Sequence, residues 1–429
     1  MADGELAGNA YAGGMGNVTS AVKTVVKGGT LAAGKNLYAG ARWNKQSTAT
    51  SVGEVNLTVT AGTIDGNIYG ASAVKTGTIT TTATTDARHT VGDVTLTLAG
   101  GTAADAEFCA FAGGYATGTD SAKLASVYDV ADVSTSITGG TWGDAADARG
   151  GRGVFGGVFA SGVKATAQNV GITVEAGTVA NVFGGGWAQK GGASTAENVN
   201  IRVEGGTVAN IFGCGIHSVT ASENGASTTS VGDVDITLAG GNVTGSVYAR
   251  GLIDGDAVTG TATVTVTGSA NYGCNFYGFS RTVGEDDKAE LVFGGYTGTV
   301  SGEITGFKEI TLAGDTAMTF STDAEVSNTA WIFDATERTD ASTVFATGAA
   351  VDFGGNSTIK LNLGEEMIRS DWSIFAGGAG TTYGCFDVLV DGVSILSDTL
   401  TLDERIAAGD YAGWGFTTEN NVLKFKRLA

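Results

Sequence analysis

The stretch that decides the fold is Val170-Gly-Ile172-Thr-Val174-Glu-Ala-Gly177-Thr-Val-Ala-Asn181-Val-Phe183-Gly184-Gly-Gly186. Its first half alternates apolar with polar residues, the period of a strand with one buried face. The apolar members are β-branched, as strands prefer. The Ala-Gly pair then supplies a corner. The second half is a short strand that ends in an aromatic and runs into a glycine-rich bend.

Both halves recur. The alternating half returns as Val55-Asn-Leu57-Thr-Val59, Val94-Thr-Leu96-Thr-Leu98, Val199-Asn-Ile201-Arg-Val203 and Val234-Asp-Ile236-Thr-Leu238, with a shorter copy at Val264-Thr-Val266. The second half returns as Asn9-Ala-Tyr11, Asn36-Leu-Tyr38, Asn67-Ile-Tyr69, Asn210-Ile-Phe212 and Asn275-Phe-Tyr277. Variants are Cys109-Ala-Phe111, Gly157-Val-Phe159 and Ser246-Val-Tyr248. Spacings between the nine aromatics are 27, 31, 42, 48, 24, 29, 36 and 29 residues. A constant motif with a wandering spacing means that insertions collect in one loop of each unit, as in stacked repeats.

Units of about 30 residues with two or three short strands are too small to bury a face alone. Stacked, they share one continuous core. The expected fold is therefore all-β, a β-solenoid (parallel β-helix) of about 30-residue coils over residues 1–290. Residues 291–429 read as irregular β coils and a C-terminal cap. Strands persist there, as in Ile310-Thr-Leu312 and Ile359-Lys-Leu361, while Trp331, Trp372 and Trp414 enlarge the aromatics. A sandwich, barrel or propeller is the competing all-β architecture, and a separate small β domain the competing reading of 291–429. Periodicity of 3.6 is absent through about residue 300; one or two helical turns fit only Leu363–Arg369 and Thr401–Ala408.

The expected structural ladder consists of Asn9, Asn36, Asn67, Asn181, Asn210 and Asn275 with Tyr11, Tyr38, Tyr69, Phe183, Phe212, Tyr248 and Tyr277. Identical asparagines one coil apart form amide ladders, each side chain donating to the next. Which of the two columns turns inward is left open by the pattern.

Composition agrees. The chain holds 70 glycines in 429 residues and no proline, so no ladder donor is lost to a proline ring. Glycine falls short of the one third that collagen requires. The balance of 24 basic against 44 acidic residues, net −20, argues against nucleic acid and anionic membrane as partners. No run of apolar residues is long enough for a transmembrane helix, so membrane insertion is not expected. The opening residues carry no secretory signal peptide. Cys109, Cys214, Cys274 and Cys385 lie too far apart for a zinc or thioredoxin-like motif and read as free, mostly buried thiols.

Little reads as catalytic. His89 and His217 sit among threonine, serine and alanine and read as solvated loop residues. No catalytic residues, cofactor or metal site are expected, and the chain is read as a non-enzyme. The carboxylate run Glu285-Asp286-Asp287 is the one place where a β-helix polysaccharide lyase or hydrolase has footing; a solvated turn is the simpler reading. Gly150-Gly-Arg152-Gly153 is a turn rather than a phosphate loop. A threonine array of the ice-binding kind is interrupted by Arg202, and three of the four glycosylation sequons fall in repeat strands where threonine is wanted anyway.

The strings Gly177-Thr-Val-Ala-Asn-Val-Phe-Gly-Gly-Gly186 and Gly206-Thr-Val-Ala-Asn-Ile-Phe-Gly213 resemble the repeats of bacterial adhesin-like surface proteins and autotransporter passengers. The resemblance covers about residues 8–290. It implies an exported protein, extracellular or at the cell surface, that serves as adhesin or structural fibre. The first copy, Asn9-Ala-Tyr11, lacks its alternating half. That implies either a piece of a longer array or a strand supplied by another copy. The functional expectation is an extracellular structural subunit of a self-assembling surface filament or matrix fibre, a homo-oligomer joined end to end. The alternative is a surface adhesin or passenger that grips host glycan or protein, on a host or neighbouring cell, through loops near 71–90, 112–126, 141–153, 187–197 and 216–230.

Overall fold

The computed structural model describes residues 4–43, 49–75, 88–103, 105, 107–118, 127–144, 151–220, 225–252, 256–279, 289–321, 324–325, 329–353, 357–364, 367, 370–394, 400–401 and 413–428. The fold is all-β with mostly parallel strands, and no α-helix occurs among the described residues. The two helical turns proposed above lie largely outside them. The chain divides into two compact units. One comprises 1–236, 243–262 and 280–284; the other comprises 237–242, 263–279 and 285–429.

In the first unit each strand pairs in parallel with its equivalent one repeat later. The strands Val22–Leu31, Val55–Ile64, Val94–Leu98, Val133–Trp142, Lys164–Phe183 and Ala193–Val203 follow one another in this way. Their registers align Val22, Val55, Val94, Val133, Val170 and Val199 in one column. Two residues on, the column is Thr24, Leu57, Leu96, Thr135, Ile172 and Ile201. From Leu57 onward its members are buried, as every second residue of a half-buried strand must be. Burying such a side chain contributes about 1.5–3 kcal/mol. The Thr135 hydroxyl has no hydrogen-bond partner among the described residues.

Two further faces complete each repeat. The motif strands Asn36–Tyr38, Asn67–Tyr69, Cys109–Phe111 and Gly153–Phe155 stack in parallel and continue onto Asn181–Phe183 and Asn210–Phe212. A six-stranded parallel sheet follows the bend: Arg42–Trp43, Ala73–Lys75, Tyr115–Thr117, Phe159–Ser161, Trp187–Gln189 and Ile216–His217.

Glycine serves two purposes here. Gly177 and Gly206, at φ +89° and +71°, hold the left-handed backbone of the corner. Gly184 instead sits where successive bends touch. A Cβ there would collide with the Gly213 carbonyl and the Val199 side chain.

The second unit also begins parallel. Ala289–Gly294, Glu309–Ala313, Ala330–Asp334, Thr358–Leu363 and Cys385–Val390 pair in that order. Its columns mix residue types: Leu291, Ile310, Trp331, Ile359 and Phe386 share one position. The parallel pattern then stops. Val393–Ser394 and Leu400–Thr401 pair antiparallel with Cys385–Val390. Val422–Arg427 lies antiparallel on Trp372–Ala376 and carries Trp414–Glu419, again antiparallel.

Candidate functional site

A file of rings runs through the first unit. Tyr11, Tyr38, Tyr69, Phe111, Phe155, Phe183, Phe212 and Tyr248 stack one on the next. Centroid separations are 4.7, 4.7, 5.4, 4.6, 4.3, 4.7 and 5.0 Å, and no pair is tilted by more than 19°. The spacing is close to the separation of neighbouring strands, so backbone pairing and ring contact share one pitch. The six inner rings are buried. Burial raises the phenol pKa of Tyr38 and Tyr69, so both remain neutral.

This placement corrects one motif reading. Phe159, counted above as a copy of the ring position, belongs to the next sheet, where it aligns with Tyr115 and Trp187. The ladder ring of that repeat is Phe155, paired with Phe111 and Phe183. Phe159 instead meets Phe111 edge-on, at 72°. Arg152 lies over the Trp187 ring at 4.9 Å and pairs with Glu107.

The asparagines beside the rings act mostly on backbone. Asn9 Oδ1 accepts the Asn36 N–H at 2.9 Å, Asn67 Oδ1 that of Cys109 at 2.9 Å, and Asn210 Oδ1 that of Ser246 at 3.0 Å. A side-chain amide link joins Asn210 Nδ2 to Asn181 Oδ1 at 2.9 Å, and Asn181 Nδ2 donates to the Arg152 carbonyl at 2.7 Å. Asn9, Asn67, Asn181 and Asn210 therefore each tie their own repeat to a neighbouring one at the entry to the motif strand, where the ladder of backbone bonds is interrupted. In the second unit Asn275 Oδ1 accepts the Glu303 N–H at 2.9 Å. Tyr277 there is half-buried, packs 5.9 Å from Phe279 and donates to Glu303 at 3.2 Å.

Both histidines differ from the expectation of solvated loop residues. His89 begins the strand His89–Val91 and is fully buried. Its ring stacks between Trp43 at 5.9 Å and Tyr128 at 5.7 Å, and its Nδ1 lies 2.6 Å from the Thr50 hydroxyl. Its Nε2 has no partner among the described residues. Burial pushes its pKa down to about 4, so the ring is neutral near pH 7. A signal for this was present. Val52-Gly-Glu-Val55, Val91-Gly-Asp-Val94 and Val231-Gly-Asp-Val234 mark the same corner, which places His89 two residues before a buried valine.

His217 closes the six-stranded sheet, and its Nδ1 lies 2.6 Å from Oδ1 of Asp256. The Asp256 side chain is wholly buried and also accepts a hydrogen bond from the Thr229 hydroxyl. Cys214 is buried beside them, 3.9 Å from that hydroxyl, and desolvation raises its thiol pKa. A thiol held protonated is a poor nucleophile. The cluster ties the strand around Thr229 to the segments carrying His217 and Asp256. Cys109 and Cys274 are likewise buried, pushed up to about 11 and about 12, and Cys385 is half-buried; all four thiols are free.

No group of three or more metal-ligating side chains occurs among the described residues. Glu285, Asp286 and Asp287 lie outside them, as do residues 76–87, 119–126, 145–150 and 221–224 of the loops near 71–90, 112–126, 141–153 and 216–230.

No protein-family model matches this chain, nor does any curated protein or solved structure.

Proposed function

We propose that this chain is a β-solenoid of about 30-residue coils that works as an extracellular structural protein, a subunit of a self-assembling filament or matrix fibre, without enzymatic activity of its own. One observation carries the reading. Each repeat of the first unit offers the next a strand edge and a ring face, and the repeats of Asn9, Asn67, Asn181 and Asn210 add an asparagine oxygen at the strand entry. Such a surface adds copies of itself without a new design. Among the described residues Glu5–Leu6 and Ala10–Tyr11 each pair with a single strand. A second copy whose edge meets Ala10–Tyr11 gains backbone pairing and a ring contact on Tyr11 together. The likeness of the Asn-Val-Phe-Gly repeats to those of bacterial surface proteins supports a place outside the cell. The net charge of −20 opposes contact between copies, so salt favours assembly.

The test is negative-stain electron microscopy over a concentration series at low and high salt. Filaments with a regular axial repeat are expected, more of them at high salt. Tyr11→Lys places a charge on the joining edge and abolishes them while the monomer's melting temperature holds. Isolated particles under every condition overturn the reading.

A further inference from the structure

On the first unit, the corner strands Thr50–Val52, His89–Val91 and Tyr128–Val130 stack in register and continue onto Ala165–Ala167 and Ser194–Ala196. Their outward column is Ser51, Thr90, Asp129, Thr166 and Thr195. Their inward column includes Val91, Val130 and Ala167, all buried. Above this column lies a groove of 460 Å³. That is within the roughly 300–1,000 Å³ of small-molecule sites. The half-buried Ala131 brings its accessible apolar side chain; Arg88, Thr90, Asp129, Thr166, Gln168 and Glu197 bring the polar groups.

These groups are organised before any ligand arrives. Asp129 Oδ2 lies 2.5 Å from Arg88 Nη2, and Asp129 Oδ1 accepts from the Thr166 hydroxyl at 2.8 Å. A carboxylate has about four acceptor positions, so two remain after these bonds. The Arg88 guanidinium has five N–H donors and uses one here. The Asp129 side chain is 25 % exposed, that of Arg88 48 %. The groove thus presents acceptors and donors side by side, and its orienting bonds are already made.

Charge narrows the ligand. The lining holds one cation against two carboxylates, Asp129 and Glu197, and the cation is already paired. An anionic ligand finds no unopposed positive charge. A neutral ligand rich in hydroxyls satisfies donor and acceptor alike, because each hydroxyl does both. Pitch narrows it further. Successive corner strands lie about 4.8 Å apart, so Thr90, Asp129 and Thr166 repeat at a step comparable with the advance of one sugar along an extended chain.

We propose that this groove binds an extended neutral oligosaccharide, with sugar hydroxyls bonded to Asp129, Arg88 and Thr166 and a sugar face against Ala131. The site is independent of the assembly edge at Ala10–Tyr11.

The experiment is isothermal titration of the intact chain with cellohexaose, xylohexaose, mannohexaose and laminarihexaose, with hexagalacturonate as the charged comparison. At least one neutral hexaose is expected to bind, and its trimer at least tenfold more weakly. Asp129→Ala is expected to weaken binding tenfold or more. Thr90→Arg, at an exposed position in the groove wall, fills the groove while leaving the Asp129 bonds in place and should do the same. Thr58→Ala, on the neighbouring face, should leave affinity unchanged. Melting temperatures verify that the variants fold. Failure of all four neutral hexaoses to bind overturns the proposal. So does binding of hexagalacturonate alone, and so does wild-type affinity in Asp129→Ala and Thr90→Arg together.

Discussion

Residues 8–250 and 300–428 are built from the same element, the short parallel strand, and pack it in opposite ways. In the first region a residue meets its own kind. Valine lies on valine across six strands, and the ladder rings lie nearly parallel. In the second region residues meet as unlike pieces. Phe353 stands at 82° to Trp331 and at 89° to Phe375, and Phe333 at 74° to Phe345. Arg338 is buried there, its guanidinium donating to the carbonyls of Thr316, Thr343 and Val344 and stacked 4.0 Å from the Phe345 ring. Repetition allows a column to be extended by copying. Packing of unlike pieces does not, and this is where the strands turn antiparallel. Antiparallel closure ends a parallel edge, and charged side chains such as Lys424 and Lys426 on the closing strand discourage further pairing.

The largest effect that sharpens this comparison comes from acid. His89 has an ordinary pKa of about 6.5 unfolded and about 4 in the folded chain. The unfolded state therefore takes up the proton first. Stability of the first region is unaffected by this residue above about pH 6.5, falls as pH drops from there, and levels below about pH 4, for a loss of about 3 kcal/mol. His89→Phe should remove that part of the pH dependence. Urea midpoints of both proteins between pH 7 and pH 4 test it; parallel curves would show that His89 carries none of the acid sensitivity.

The second effect separates the two packing modes with one substitution. Phe353→Tyr puts a hydroxyl among rings that meet edge-on, and should cost about 1–3 kcal/mol. Phe212→Tyr changes a ladder ring that already stacks on Tyr248 at 5.0 Å, in a file that holds tyrosine at four positions and phenylalanine at four. It should cost under about 1 kcal/mol. Equal losses in denaturant melts would mean that the ladder is as exacting as the irregular region.

The smallest effect is a gain. Thr135 stands in a column whose neighbours are Leu96 and Ile172, with its hydroxyl unsatisfied. Thr135→Val should raise stability by about 1 kcal/mol. A loss instead would mean that columns in the repetitive region are not interchangeable.

The strands were legible because alternation is a local signal: Val170 to Val174 reads as a half-buried strand from five letters. The columns Asn181/Asn210 and Phe183/Phe212 were legible because strings 29 residues apart that differ only by Val182 against Ile211 stack alike. The ring of the preceding repeat was not. Val154-Phe155-Gly156 and Val158-Phe159-Ala160 are near copies four residues apart, and only the pairing with Phe111 and Phe183 distinguishes ladder from neighbour. The groove was not legible either, since Arg88, Asp129 and Thr166 fall about 40 residues apart with no shared motif.

By itself, then, the sequence determined the strand period, the repeat and the residue that each column prefers, because these depend on neighbours a few positions away. The tertiary structure alone decided which rings stack, that His89 is buried between Trp43 and Tyr128, that His217 meets Asp256, and where the parallel strands give way to antiparallel ones. Those outcomes depend on register across loops of uneven length, and a one-residue slip there turns every side chain to the other face.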